Sequence, residues 1–360
     1  MSRRLLPALM AIMLLGACAS ARPAAEPAAA PPAGGASAAG FAAPAAPVAS
    51  VAPAAPAAPA ALATLVVGRA GSGAAPQFWA GYVADKKGFF AQENLNVEQI
   101  AIPSAFTLTQ ALVSGDMQVV NFTVLSMAAA VAGGAPLKMV ASAQLTPNIQ
   151  LVVQPEVHSW DDLRGKTLGG GNSAGDYFDL TLQMMLAANG LQEGEYVART
   201  MPSNARIPAL QAGQVAGIIT SDQEVVVAVA QGYHSLGYVH EYVKDLQYSG
   251  YLMDDGWAKA HADVTVRFLR ALLRGAAWVY DPANREEASR IYADVASLDQ
   301  PQAEGIYADV VGQQMLSRDL RPNVRGIENI VNIAYDKGAL EQKPPVESWI
   351  DLSYLERASR

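Results

Sequence analysis

Hydroxyls, amides and rings gather in six short stretches of this sequence, each just after a run that reads as a strand. Ser72, Gln77, Phe78 and Trp79 follow the first such run, Ser104 and Phe106 the second, and Asn121 and Thr123 the third. Further along, Ser173, Asp176 and Tyr177, then Asn204, then Asp222 take the matching places. Open α/β sheets hold ligands beyond the carboxyl ends of their strands, where loops and helix N-termini converge, so these are the candidate ligand-binding residues. Their hydroxyls and amides suit a neutral or polar solute met by hydrogen bonds. Phe78, Trp79, Phe106, Tyr177 and Phe178 add ring faces, each stacked pair worth about 0.5–1.5 kcal/mol beyond burial, which suits a flat heterocycle. Neighbours on a helix point about 100° apart, so at most one of Phe78 and Trp79 faces a ligand; the alternative is that both anchor the first helix. Asp176 and Asp222 stand at helix starts, where capping is the competing role. Basic residues are scarce on these loops: Arg69 ends the first strand and Arg206 lies just inside a helix. Two carboxylates nearby argue against a small anion.

Catalysis finds less support. His158, His234, His240 and His261 fall on a turn, a strand start, a strand end and a helix start, and His234 and His240 are six residues apart, which matches no helical metal pair. Ser72, Ser173 and Ser221 have no His or Lys close in sequence. Gly169-Gly170-Gly171-Asn172-Ser173 lacks the Gly-Lys-Ser/Thr ending of a phosphate loop. No catalytic residue, metal or cofactor is expected, and the single cysteine excludes an internal disulfide. With 25 basic against 33 acidic residues the net charge is −8, the wrong sign for a nucleic-acid binder.

The elements that must position these residues begin only after a long preamble. Residues 1–17 read as a signal peptide, with Arg3 and Arg4 before an apolar run over 5–15 that is too short to span a bilayer. Leu15-Gly16-Ala17-Cys18 resembles the bacterial lipobox, which implies an acylated Cys18, palmitate among its acyl groups, as the mature N-terminus. Residues 18–63 form an Ala/Pro-rich linker in which recurring Pro opposes helix. From residue 64 strands alternate with helices: strands near 65–68, 97–102, 119–120 and 138–141, with helices over 78–87, 106–113 and 124–131 between them. A second cycle has strands at 151–153, 167–168, 217–219, 236–239 and 249–253, with helices over 177–188, 207–211 and 224–230. Residues 257–280, 285–296, 302–316 and 324–337 read as helices. The alternation predicts a largely parallel sheet with helices on both faces. The fold class is α/β, in two lobes: 64–145, 146–247, and 248–360 returning to the first with a helical tail.

Four segments carry a family resemblance. They are Gly81-Tyr82-Val83-Ala84-Asp85-Lys86-Lys87-Gly88-Phe89-Phe90 with Asn94-Leu95-Asn96-Val97-Glu98; Gln110-Ala111-Leu112-Val113-Ser114-Gly115-Asp116; Asp162-Leu163-Arg164-Gly165-Lys166-Thr167-Leu168-Gly169; and Pro208-Ala209-Leu210-Gln211-Ala212-Gly213-Gln214-Val215-Ala216-Gly217. In this order, behind a lipobox, the chain resembles bacterial ABC-importer substrate-binding proteins, in the group with nitrate-, sulfonate-, taurine-, thiamine-precursor- and riboflavin-binding members. The resemblance implies a two-lobed, periplasmic-binding-protein-like clamp of type II. It implies a monomer, lipid-anchored on the extracytoplasmic face, whether periplasmic or outer, that binds a small molecule and serves an ABC permease and its ATPase. Loop composition puts riboflavin first among solutes and a thiamine-type pyrimidine next, with nitrate, sulfonate or taurine as the remaining choice. The competing classes are an enzyme of thiamine-precursor type and a lipid-anchored interaction protein.

Overall fold

Strand direction explains the architecture. The computed structural model describes residues 61–70, 74–102 and 104–360; Cys18, Ser72, the signal peptide and nearly all of the linker lie outside them. The strands are β1 (Ala63–Ala70), β2 (Leu95–Ile102), β3 (Val119–Thr123), β4 (Leu137–Gln144), β5 (Ile149–Val153), β6 (Thr167–Gly169), β7 (Val197–Arg199), β8 (Gly217–Ser221), β9 (His234–Tyr238) and β10 (Ser249–Asp254). They form two five-stranded sheets with the orders β2-β1-β3-β10-β4 and β7-β6-β8-β5-β9. Each sheet is therefore the centre of a lobe, and the two lobes share one topology.

The sheets are mixed rather than largely parallel. β1 pairs parallel with β2 and β3, but β10 runs antiparallel to β3 and β4. In the second sheet β6 pairs parallel with β7 and β8, while β5 runs antiparallel to β8 and β9. The reversed strands are the two the chain enters by crossing from the other lobe. A crossing delivers the chain at the interlobe edge, so the strand must run away from it, against neighbours whose carboxyl ends point toward it. Register agrees: Ile149 opens β5 opposite Ser221 at the end of β8, and Ser249 opens β10 opposite Thr123 at the end of β3.

The two crossings lie side by side and are tied together. Tyr248 N–H donates to the Gln144 and Leu145 carbonyls at 3.3 and 3.1 Å. Gln247, fully buried, donates from Nε2 to Ser142 Oγ (2.9 Å), the Gln144 carbonyl (2.7 Å) and the Ser249 carbonyl (3.0 Å). Its Oε1 accepts from Asn323 N–H at 2.8 Å. A buried amide with its bonds made is costly to disrupt, so this side chain ties the two crossings together.

The helices Tyr177–Ala188 and Arg285–Ala296 begin and end where periodicity places them. Others shift for tertiary reasons. The helix expected over 257–280 is two, Asp255–Ala260 and Ala262–Val279, broken at His261, whose ring stacks on Trp257 at 4.4 Å. The helix expected over 302–316 is Gln300–Val310; beyond it the chain turns at Gln314 (φ 55°) so that the Met315 carbonyl accepts from the amides of Leu145 and Thr146. The helix expected over 207–211 begins four residues earlier, as Ser203–Gln211. The tail packs on the first lobe: Phe268 and Leu269 cover Leu65 and Val67, and Tyr292 and Tyr307 enclose Trp79. No helix among the described residues is long and apolar enough to cross a membrane.

Candidate functional site

Between the lobes lies a cleft of about 580 Å³, the scale of a small organic ligand. Gln77, Thr123 and Ser126 line it from the first lobe, Asn172 to Phe178, Ser203, Arg206 and Ser221 to Glu224 from the second. Tyr248 closes its hinge end and Leu340 comes from the tail. The helices Val124–Ala132, Tyr177–Ala188, Ser203–Gln211 and Asp222–Ala230 all begin at this lining. Their positive dipole ends therefore share one space.

Asp176 organises the loop that leads into it. Its Oδ2 accepts from the amides of Asn172 (2.7 Å) and Ser173 (3.2 Å), and its Oδ1 caps the following helix by accepting from Asp179 N–H at 2.9 Å. A side chain on Gly171 would place its Cβ 1.8 Å from Asp176 Oδ1, so only glycine lets the carboxylate reach both sets of donors. Thr123 caps its helix in the same way, accepting from Ser126 N–H at 3.3 Å. Asn172 Oδ1 then accepts from Ser203 N–H (3.0 Å) and Arg206 Nη2 (3.5 Å), joining the loop to the next helix.

Arg206 is the cation of the cleft. It is 1% exposed, lies 4.9 Å over the Phe178 ring and donates from Nε to the Met201 carbonyl at 3.3 Å. Among the described residues it forms no ion pair. Burial lowers its pKa from the ordinary value, and the Glu224 and Asp176 carboxylates act in the opposite sense. Asp222 has a backbone in the left-handed region (φ 53°), which Asp tolerates better than most residues. Burial pushes its carboxyl up to about 7, against the hydrogen bonds from Asn148 and Ser221, and the charges of Glu224 and Asp309 add to the rise. Glu224, bonded by the Thr220 hydroxyl, is also raised by burial. Gln77 is buried on the opposite wall, and its Oε1 has no hydrogen-bond partner among the described residues.

Of the residues singled out in the sequence, the structure brings Gln77, Thr123, Ser173, Asp176, Tyr177 and Asp222 to the cleft. Six others do not line it. Phe78 and Trp79 both point into the core: Trp79 is fully buried, stacks on Tyr292 at 4.4 Å and donates from Nε1 to the Ala288 carbonyl at 3.1 Å. Phe106 is 74% exposed on the outside of its helix, and Ser104 serves as that helix's N-cap through Thr107 N–H. Asn121 is fully buried inside β3, paired in register with Tyr251, and Asn204 is exposed. Tyr177 reaches the cleft, yet its hydroxyl is spent on the Gln247 carbonyl at the hinge (3.1 Å). Sequence reasoning passed over Arg206, Glu224 and Tyr248. His158 and His234 meet with ring centres 6.0 Å apart, and neither lines the cleft.

Residues 75–285 match the family model described as NMT1/THI5 like. A search of the curated proteins finds no match. Among solved structures, the chain is similar to the alkanesulfonate-binding protein SsuA from Xanthomonas axonopodis pv. citri bound to MOPS, with a TM-score of 0.64 at 16% identity over 81% of this chain and 99% of that one. It is similar to the periplasmic nitrate-binding protein NrtA from Synechocystis PCC 6803, with a TM-score of 0.70 at 14% identity over 83% and 88%. A ligand-binding component of an ABC-type import system from Staphylococcus aureus gives 0.69 at 14% identity over 82% and 99%. At these identities the likeness is one of fold: the α/β, two-lobed architecture of periplasmic binding proteins.

Proposed function

The chain belongs to the NMT1/THI5 like family, and from that premise we propose that it is the substrate-binding component of an ABC import system, capturing a small organic anion of the sulfonate class outside the cytoplasmic membrane. The observation that carries this reading is the buried, ion-pair-free Arg206 in an interlobe cleft onto which four helix N-termini open. A sulfonate oxygen in that place adds to the guanidinium's bonding and lies at the positive ends of the helices. The solved structures named for alkanesulfonate and nitrate binding support the same chemistry. A cavity of about 580 Å³ is far larger than nitrate needs, which favours an anion with an organic body.

The preference for a flat vitamin such as riboflavin leaned on ring faces that Phe78, Trp79 and Phe106 do not present to the cleft. The objection to an anion rested on Asp176 and Asp222: the charge of the first is compensated by three backbone amides, the second holds its proton to about pH 7, and burial also raises Glu224. In this reading the protein is a monomer that performs no bond-making, is held to the membrane through Cys18, and delivers its solute to a permease.

Calorimetric titration with butanesulfonate, nitrate and riboflavin tests the proposal. Saturable binding of the sulfonate is expected, weakened about tenfold or more in Arg206→Gln, since a hydrogen bond to a charged group contributes about 1.5–3 kcal/mol. Flat heats with butanesulfonate, or an affinity that Arg206→Gln leaves untouched, would overturn it.

A further inference from the structure

A second cavity, of about 590 Å³, lies on the tail beside Leu145 of the first crossing and, among the described residues, shares no lining residue with the cleft. Its walls are the rings of Tyr280 and Tyr307 with Leu145, Val311 and Leu316. The Tyr280 hydroxyl donates to the Leu316 carbonyl (2.8 Å) and the Tyr307 hydroxyl to the Val279 carbonyl (2.7 Å), so what the rings have left to offer is apolar surface.

Two guanidiniums flank these rings. Arg285 lies 5.9 Å from the centre of Tyr307, and Arg318 lies 5.6 Å from the centre of Tyr280. Both are exposed, and among the described residues neither forms an ion pair. Of the nearby acids, Asp319 lines the groove and accepts from Arg321 N–H at 3.0 Å, and Asp281 accepts from Ala283 N–H at 2.9 Å. On a chain of net charge −8, two exposed arginines with no ion pair among the described residues outnumber the one carboxylate among the lining residues of this apolar hollow. Guanidinium is weakly hydrated, forks onto carboxylate or sulfonate, and stacks on rings.

We propose that this groove is a second binding site, and that it takes a small organic anion with an aromatic or branched apolar body. The apolar part lies between the two tyrosine rings and the anionic group meets Arg285 and Arg318. The site adjoins the segment where the Met315 carbonyl holds the amides of Leu145 and Thr146, so an occupant rests against one of the two strands of the hinge.

The test is titration of the full chain with 2-naphthoate, carried out in an Arg206→Gln background so that the cleft's own cation does not contribute. Saturable binding is expected, with the dissociation constant rising about tenfold in Arg285→Gln/Arg318→Gln. Ala308→Glu, which sets a carboxylate on the exposed rim of the groove, is expected to weaken it as well. A crystal soaked with the same probe is expected to show it between Tyr280 and Tyr307. Absence of saturable binding, binding indifferent to both sets of substitutions, or density in the interlobe cleft instead would overturn the proposal. So would light scattering that shows a dimer dissolved by the same arginine substitutions, which would assign the groove to a second copy of the chain. None of these outcomes bears on the sulfonate titration, because the two cavities share no residue among those described.

Discussion

Asp222 makes the cleft responsive to pH. In the unfolded chain its carboxyl ionises near the ordinary 3.8, and in the folded protein burial holds the proton to about 7. A group whose native pKa is raised in this way stabilises the fold relative to its ionised form below the lower value, and that contribution is lost as pH rises through about 7. Ionisation also adds a negative charge to a site read as taking an anion, beside Glu224 and against the pull of Arg206. The affinity for butanesulfonate is therefore expected to fall about tenfold between pH 6 and pH 8. In Asp222→Asn, which keeps the shape of the protonated acid, the same titrations are expected to coincide; a wild-type affinity flat across that range would contradict the assignment. Some of this was legible in the sequence. Asp176 at a helix start reads as a cap and is one. Arg206 was missed for a definite reason. The sequence places it just inside a helix and leaves its face open; with Ser203 as the first residue it falls one turn in, on the same face as Ser203 and toward the cleft.

Among the elements, the tail helix Gln300–Val310 links the lobes. Its Ile306 and Tyr307 pack with Trp79 of the first lobe, while Val226 and Tyr238 of the second lobe lie against the same cluster. Tyr238, at the end of β9, donates its hydroxyl to the Asp309 carboxylate. Gln313 Nε2 donates to the other Asp309 oxygen at 2.6 Å, and His240 Nε2 meets Gln313 Oε1 at 3.0 Å. A bond that spans the lobes favours the arrangement in which it forms, and one to a charged acceptor contributes about 1.5–3 kcal/mol. Tyr238→Phe keeps the ring beside His240 and removes only the hydroxyl, so solute affinity is expected to drop about tenfold, read by calorimetry. An unchanged dissociation constant would mean that the contact does not favour closure. The helices that were legible, such as Arg285–Ala296, owe their bounds to local periodicity and to Pro282 just ahead. β5 and β10 were found as strands but not as reversed ones, because direction within a sheet depends on which lobe the strand joins. That is a fact of the whole chain, not of five or six neighbouring residues.

At the scale of the whole molecule, the proposal that the protein is held at a membrane has its own test. A net charge of −8 opposes overall attraction to anionic lipid. No helix among the described residues is long and apolar enough to cross a bilayer. The proposed attachment is through Cys18, which lies with the Ala/Pro-rich stretch before β1 outside the described residues. Each buried methylene contributes about 0.8 kcal/mol, and one acyl chain alone gives only marginal, reversible binding. The several chains of a bacterial lipoprotein would therefore be needed for stable anchorage, and all of them would depend on one sulfur and its new amino terminus. Cys18→Ser is expected to abolish metabolic labelling with a palmitate analogue and to move the protein from the membrane pellet to the soluble fraction. The butanesulfonate affinity of the released protein is expected to equal that of the wild type, because the residues argued to hold the solute lie between Gln77 and Leu340. A Cys18→Ser protein that still sediments with the membrane would place the anchor elsewhere and leave the Leu15-Gly16-Ala17-Cys18 motif without a role.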